Sequence, residues 1–170
     1  MNDDLPFDDF YQATARRMMR YAYGMVGDPA TAQDIVQEAY VRAWRQWSVI
    51  STYEQPEAWV RLVVSRLATD WWRRVTVRRR FEAAERPADP VPPPSETTVL
   101  LVDALRRLPA RQRQAFCLHH LLDLTVGDVA RELAVSEGTV KSWLFRARAS
   151  LADQLGELNP ATAQEGSDVR

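Results

Sequence analysis

The sequence predicts an all-α protein: two small helical domains joined by a flexible, proline-rich linker. Three observations carry that prediction. Apolar residues recur at helical spacing on both sides of the chain's midpoint, with no convincing period-two stretch that would read as a strand. The segment ERPADPVPPPSE, residues 85–96, holds five prolines in twelve positions and almost no apolar side chains. Proline lacks the amide donor and cannot continue a helix, so this segment reads as an extended linker. Finally, 46% hydrophobic and 26% charged residues is the composition of a soluble globular chain, not a disordered one.

The elements follow in order. Phe7–Val26 suits a first helix, ended by Gly27-Asp28-Pro29. Asp28 can cap the next helix, with Pro29 in its first turn. That helix, ATAQDIVQEAYVRAWRQW, puts Ile35, Ala39, Arg42 and Ala43 near one side and Asp34, Gln37 and Glu38 on a more polar face. SVISTYEQ, residues 48–55, breaks the pattern. Pro56 opens a third helix, EAWVRLVVSRLATDWWRR, in which Trp59, Leu62, Val63, Leu67 and Trp71 recur as an apolar stripe. Beyond the linker come VLLVDALRRL, a stop at Pro109, then ARQRQAFCLHHLL and two shorter helices, TVGDVARELA and EGTVKSWLFRARASL. The tail NPATAQEGSDVR reads as disordered.

Several function classes are excluded by what is missing. No apolar run is long enough to span a membrane. The acidic start MNDDLPFDDF lacks the basic and apolar stretches of a signal peptide, so a cytoplasmic protein is expected. One cysteine, Cys117, rules out an internal disulfide, and two histidines, His119 and His120, make neither a zinc site nor a nucleophile–base set. No metal, no cofactor and no catalysis are expected. His119, His120 and Cys117 read as structural members of an apolar helix.

The net charge of −1 hides a strong asymmetry. Residues 61–80 carry seven arginines against one acid, Asp70, while the first ten residues carry four aspartates and no base. Local fields of this kind matter more for partner choice than the total.

The sharpest motif is LTVGDVARELAVSEGTVKSWLFRARASL. Thr125 can cap a helix, with Asp128 three residues on accepting back in capping-box fashion. Val129, Ala130 and Leu133 make its buried stripe, and small Ala130 permits a close helix crossing. Val135-Ser136-Glu137 makes a tight turn, with Ser136 as the next cap. Val140, Leu144 and Ala147 then face inward, while Glu137, Thr139, Lys141, Ser142, Phe145, Arg146 and Arg148 lie on the other side. Polar and cationic groups toward a groove, with a thin apolar face toward a support helix, are what a DNA-recognition helix needs. A helical hairpin with a solvated charged face would share the periodicity. It would not need the small residue, the capped short turn and the GTVKS start together.

With those motifs placed, the chain resembles the extracytoplasmic-function, or group-four, sigma factors of the sigma-70 family. LPARQRQAFCLHHLLDLTVGDVARELAVSEGTVKSWLFRARASL resembles their region 4, and DPATAQDIVQEAYVRAWRQW with PEAWVRLVVSRLATDWWRR resembles their region 2. The resemblance covers roughly residues 7–155 and implies a region 2 helical bundle over residues 1–80, a linker over 81–96, a region 4 helix-turn-helix over 97–156 and a disordered tail over 157–170. A helix-turn-helix alone would also fit response-regulator output domains. Two motif sets in this order are more specific.

The resemblance also implies roles. Asp34, Gln37, Glu38 and Arg42 would dock on core RNA polymerase, through its beta and beta-prime subunits. Trp44 and Trp47 would lie where the duplex opens, either stacking on unpaired bases or packing as core. Ser48, Val49, Ile50, Ser51, Thr52 and Tyr53 would hold a base flipped from the non-template strand. Arg61, Ser65, Arg66, Thr69, Arg73 and Arg74 would face the minus-ten element, with the arginine run to Arg80 adding phosphate contacts. Ser136, Glu137, Gly138, Thr139, Lys141, Ser142, Phe145 and Arg146 would meet the minus-thirty-five element. An anti-sigma factor is an implied partner, and no membrane is. Two departures from the family's pattern stand out. Ser65-Arg66 replaces Arg-Asn and Trp143 replaces Arg, which leaves the minus-ten base preference open and points Trp143 toward packing. A regulator using only the second domain, or a sigma-like decoy that binds no DNA, are the competing readings.

Overall fold

The computed structural model describes residues 6–81 and 95–158, with side chains for 6–78 and 95–156. Every element among the described residues is helical. The chain splits into two compact units at Pro92/Pro93. Most of the expected linker and the expected tail lie outside the described residues.

In the first unit, α1 spans Phe7–Val26, α2 Pro29–Arg45, α3 Trp47–Ile50 and α4 Pro56–Phe81. The turn between α1 and α2 is built as its residue types require. Gly27 takes the left-handed conformation, φ 77°, and its N–H donates to the Tyr23 carbonyl at 2.8 Å, closing α1. Asp28 then accepts from the Thr31 N–H at 2.8 Å, with Pro29 in the first turn where no amide is needed. Helices α1, α2 and α4 pack pairwise against one another. Three alanines of α2 (Ala32, Ala39 and Ala43) are fully buried and let the helices approach closely over Met18, Tyr21, Val60 and Val64.

Two buried hydroxyl pairs cross this core. Thr14 Oγ1 donates to the Phe10 carbonyl at 2.7 Å and meets the Tyr40 hydroxyl at 2.6 Å; Tyr21 meets Ser65 Oγ at 2.7 Å. A buried hydroxyl left without a partner costs about 1–3 kcal/mol, so these pairs also fix helix register. Burial pushes the Tyr40 phenol up to about 12. Trp72 Nε1 donates to the Met25 carbonyl at 2.8 Å, satisfying an acceptor at the end of α1.

Three expectations need correction here. The stretch 48–55 is not wholly irregular, because α3 makes a single turn through Ile50. Helix α4 runs to Phe81, past the expected end at Arg74. And the stripe Trp59, Leu62, Val63, Leu67, Trp71 is fully buried only at Val63: Trp59, Leu67 and Trp71 are half-buried and Leu62 is exposed, while α4 also buries Val60, Arg61, Val64, Ser65 and Ala68. Apolar residues almost encircle the helix at 59–64, so spacing alone does not set its register. Packing against α1 and α2 does, burying Val60, Val64 and Ala68 and giving Ser65 the Tyr21 hydroxyl as a partner.

In the second unit, α5 spans Glu96–Arg106, α6 Ala110–Leu121, α7 Val126–Leu133 and α8 Glu137–Leu158. Its core is Leu105, Cys117, Leu118, Val129, Val140, Leu144, Ala147 and Leu151. Pro109 separates α5 from α6, and buried Arg113 reaches back so that its Nη1 donates to the Arg106 carbonyl at 3.3 Å. Burial lowers the Arg113 pKa from its ordinary value and pushes the Cys117 thiol up to about 12, so Cys117 is a small core group without thiolate character. His119 Nδ1 meets the Leu124 carbonyl at 2.7 Å, pinning the turn after α6. Cys117 and His119 thus hold the structural places expected of them.

Candidate nucleic-acid and polymerase interfaces

The second unit carries the helix-turn-helix. Thr125 Oγ1 accepts from the Asp128 N–H at 3.1 Å, and Asp128 Oδ2 accepts from the Thr125 N–H at 3.3 Å, completing the capping box that starts α7. The Thr125 hydroxyl, which donates to Asp128 Oδ2 at 2.6 Å, is the chief cause that holds the Asp128 carboxyl below its ordinary pKa. The elbow is tight. Ala134 adopts φ 54°, ψ 47°, and Val135 N–H returns to the Ala130 carbonyl at 3.0 Å. Ser136 Oγ then accepts from the Thr139 N–H at 3.1 Å and caps α8.

From that cap the two faces of α8 separate cleanly. Val140, Leu144, Ala147 and Leu151 are buried. Ser136, Glu137, Gly138, Lys141, Ser142, Phe145 and Arg146 are exposed, Thr139 is half-buried, and Phe145 leaves 74% of its surface open. Trp143 is half-buried, in keeping with packing. Near the end of this face, Arg148 Nη2 lies 3.3 Å from His120 Nε2. Partial burial, and then the neighbouring His119 and Arg148, lower the His120 pKa.

In the first unit, Asp34, Gln37, Glu38 and Arg42 are all exposed along one side of α2, so Arg42 leaves the side of buried Ile35, Ala39 and Ala43 where its spacing put it, and its Nε pairs with Glu38 Oε1 at 2.7 Å. The spacing argument does not single out Val41, which is 42% exposed between these charges and Trp44. Its place three residues after Glu38 and before Trp44 was the available signal.

The two tryptophans part company. Trp44 is 65% exposed, whereas Trp47 packs its ring 4.7 Å from Phe10 and 5.2 Å from Phe7. In the following segment Ser48, Val49, Thr52 and Tyr53 are exposed and Ser51 is half-buried, but Ile50 is buried at 1%. On α4, Arg66, Thr69, Arg73 and Arg74 are exposed, with Arg73 3.6 Å from Asp70. Arg61 and Ser65 are buried, and Ser65 also donates to the Arg61 carbonyl at 2.9 Å. Ile50, Arg61 and Ser65 therefore serve the interior of this unit and are absent from its exposed face, while Trp47 is half-buried against Phe7 and Phe10. Side chains of Arg79 and Arg80 lie outside the described residues. Among the described residues, no three His, Cys, Asp or Glu side chains gather as metal ligands, and no helix is long and apolar enough to cross a membrane.

Comparison with known proteins sets these faces in context. Residues 10–78 match the family model for sigma-70 region 2, and residues 98–151 match that for sigma-70 region 4. The chain is 32% identical to the RNA polymerase sigma-E factor of Streptomyces coelicolor, covering 91% of this chain and 89% of that one. It is likewise 32% identical to the ECF RNA polymerase sigma factor SigL of Mycobacterium tuberculosis, over 87% of this chain and 88% of the relative. Among solved structures, the extracytoplasmic function sigma factor SigJ of Mycobacterium tuberculosis aligns with TM-score 0.60 at 29% identity, over 85% of this chain and 53% of that one. The sigma factor RpoE of Bartonella quintana, solved in complex with the anti-sigma factor NepR, aligns with TM-score 0.68 at 22% identity, covering 88% and 96%.

Proposed function

The chain belongs to the extracytoplasmic-function sigma factors of the sigma-70 family, and from that premise we propose how its two units divide promoter recognition. As a sigma factor it binds core RNA polymerase and directs initiation at specific promoters. The second unit reads the minus-thirty-five element with the exposed side of α8, through Lys141, Ser142, Phe145 and Arg146, with Glu137 at the start of that helix. The observation that carries this is the clean division of α8 after the Ser136 cap, with base-seeking groups outward and Val140 and Leu144 inward.

The first unit works at the minus-ten element. Arg66, Arg73 and Arg74 supply cationic contacts, Trp44 and Tyr53 offer aromatic faces to unpaired bases, and Val49 and Thr52 border them. Stacking of this kind contributes about 1–3 kcal/mol per base. Asp34, Gln37, Glu38, Val41 and Arg42 form the polymerase-docking side of α2. Trp47, Ile50, Arg61 and Ser65 shape this surface from behind. Core polymerase supplies all the bond-making chemistry, in the cytoplasm, and this chain catalyses nothing. An anti-sigma factor is the partner that holds the chain inactive; the Bartonella quintana protein of the same fold was solved in complex with one.

The test is transcription from a broad promoter library by core polymerase plus the purified chain. Specific starts preceded by paired minus-ten and minus-thirty-five elements are expected. Core binding and promoter selection both absent would overturn the reading.

A further inference from the structure

At the elbow between α7 and α8, an open groove of about 740 Å³ lies between Arg131 and Glu137 over the small residues Gly127, Ala130 and Ala134. Gly127 sits in the first turn of α7 with an ordinary helical backbone, so no left-handed turn demands a glycine there. Glycine is also among the poorest helix formers. What its missing side chain provides is space. A Cβ at position 127 would lie 3.3 Å from Glu137 Oε1 and 3.8 Å from Thr125 Oγ1. The carboxylate of Glu137, the first residue of α8, is therefore folded back over the first turn of α7. The neighbouring cation Arg131 is paired with Asp128.

We propose that Gly127 is a specificity-determining positioning residue, acting through Glu137 on how the start of α8 meets the minus-thirty-five element. It rests on the assignment of α8 to that element. A carboxylate at the start of a reading helix can do two opposite things. Extended into the groove, it accepts from a cytosine amino group and selects that base. Near the backbone, it repels phosphates. Withdrawn over Gly127, it does neither at full strength, and the choice of base passes to Lys141, Ser142 and Arg146. A side chain at 127 removes the resting place and drives the carboxylate out.

The experiment uses the full chain with core polymerase on promoters randomised through the minus-thirty-five element. Four proteins are compared: wild type, Gly127→Gln, Glu137→Ala and the double variant. Glutamine is chosen because an exposed carboxylate could step around the single methyl of alanine. Glutamine is also the better helix former, and thermal melting verifies that the second unit stays folded. Gly127→Gln is expected to change base preference at one base pair by about five-fold or more. The same substitution made on the Glu137→Ala background is expected to change nothing. An unaltered preference in Gly127→Gln overturns the proposal, and so does an equal change with Glu137 absent. A wild-type chain that selects no bases in this element overturns the assignment of α8 itself, a distinct result.

Discussion

Helices α4 and α8 make an instructive pair. Both are long, both carry arginines (seven on α4 and two on α8), and in both the exposed side is the one proposed to meet promoter DNA. On α8 no residue assigned to DNA is buried. On α4 two of the six assigned residues, Arg61 and Ser65, are buried. The difference lies in how each helix is anchored. Ser136 fixes the start of α8, and Val140, Leu144, Ala147 and Leu151 then mark one inward stripe. At residues 59–64 of α4 the apolar side chains almost surround the helix, and packing against α1 and α2, with the Tyr21–Ser65 hydroxyl pair within it, decides which side turns in. Amphipathic pattern specifies orientation where it is one-sided and leaves it to tertiary partners where it is not.

The largest effect that would break this contrast comes from adjacent residues of α8. Leu144 is 2% exposed in the core of the second unit, and Leu144→Ala is expected to cost about 2–5 kcal/mol, measured as a lowered melting transition of that unit. Its neighbour Phe145→Ala is expected to leave melting nearly unchanged and to weaken binding to a minus-thirty-five duplex. If both variants melt alike, the two faces are not divided as described.

The corresponding test on α4 also separates neighbours. Ser65→Ala removes one partner of the buried Tyr21 hydroxyl and the bond from Ser65 to the Arg61 carbonyl, and is expected to destabilise the first unit by about 1 kcal/mol, with promoter selection intact. Arg66→Ala is expected to behave oppositely: native melting, weaker minus-ten binding, and a shallower dependence of binding on salt. Loss of selectivity in a fully stable Ser65→Ala would return Ser65 to the DNA-facing side.

Legibility in the sequence follows the same division. The bounds of α1, the Asp28 cap, the Thr125–Asp128 capping box and the Ser136 cap were all readable, because each depends on residues a few positions apart. The candidate minus-thirty-five face was readable for that reason too. The fates of Trp44 and Trp47 were not. Three residues apart on the same stretch, they are distinguished only by Phe7 and Phe10, which arrive from α1 to cover Trp47. Ile50 is hidden in the same way, by a one-turn helix inside an expected loop. The space over Gly127 was equally invisible, since its meaning depends on a carboxylate ten residues on.

A smaller effect concerns the elbow that makes α8 so well anchored. Ala134 holds φ 54°, a left-handed conformation that costs an L-residue about 1–2 kcal/mol. Glycine escapes that strain but loses more chain entropy on folding. Ala134→Gly is expected to stabilise the second unit by up to about 1 kcal/mol, seen as a raised melting temperature. A drop of similar size would mean that the alanine methyl contributes packing that outweighs the strain.

The smallest expected effect is on pH. His120 has a lowered pKa, caused first by burial and then by His119 and Arg148. Its folded-state value therefore lies below the unfolded one, so the unfolded chain binds the proton more readily. Stability falls as pH drops through the ordinary histidine value of 6.5, and is regained above it. His120 is largely exposed, so solvent screening keeps the effect slight. Melting of the second unit at pH 5.5 and 7.5, in wild type and His120→Gln, isolates it. The wild type is expected to lose more stability on acidification than the variant. Equal losses would show that the proton on His120 is indifferent to folding, and that the contact between α6 and α8 through Arg148 does not depend on His120 being neutral.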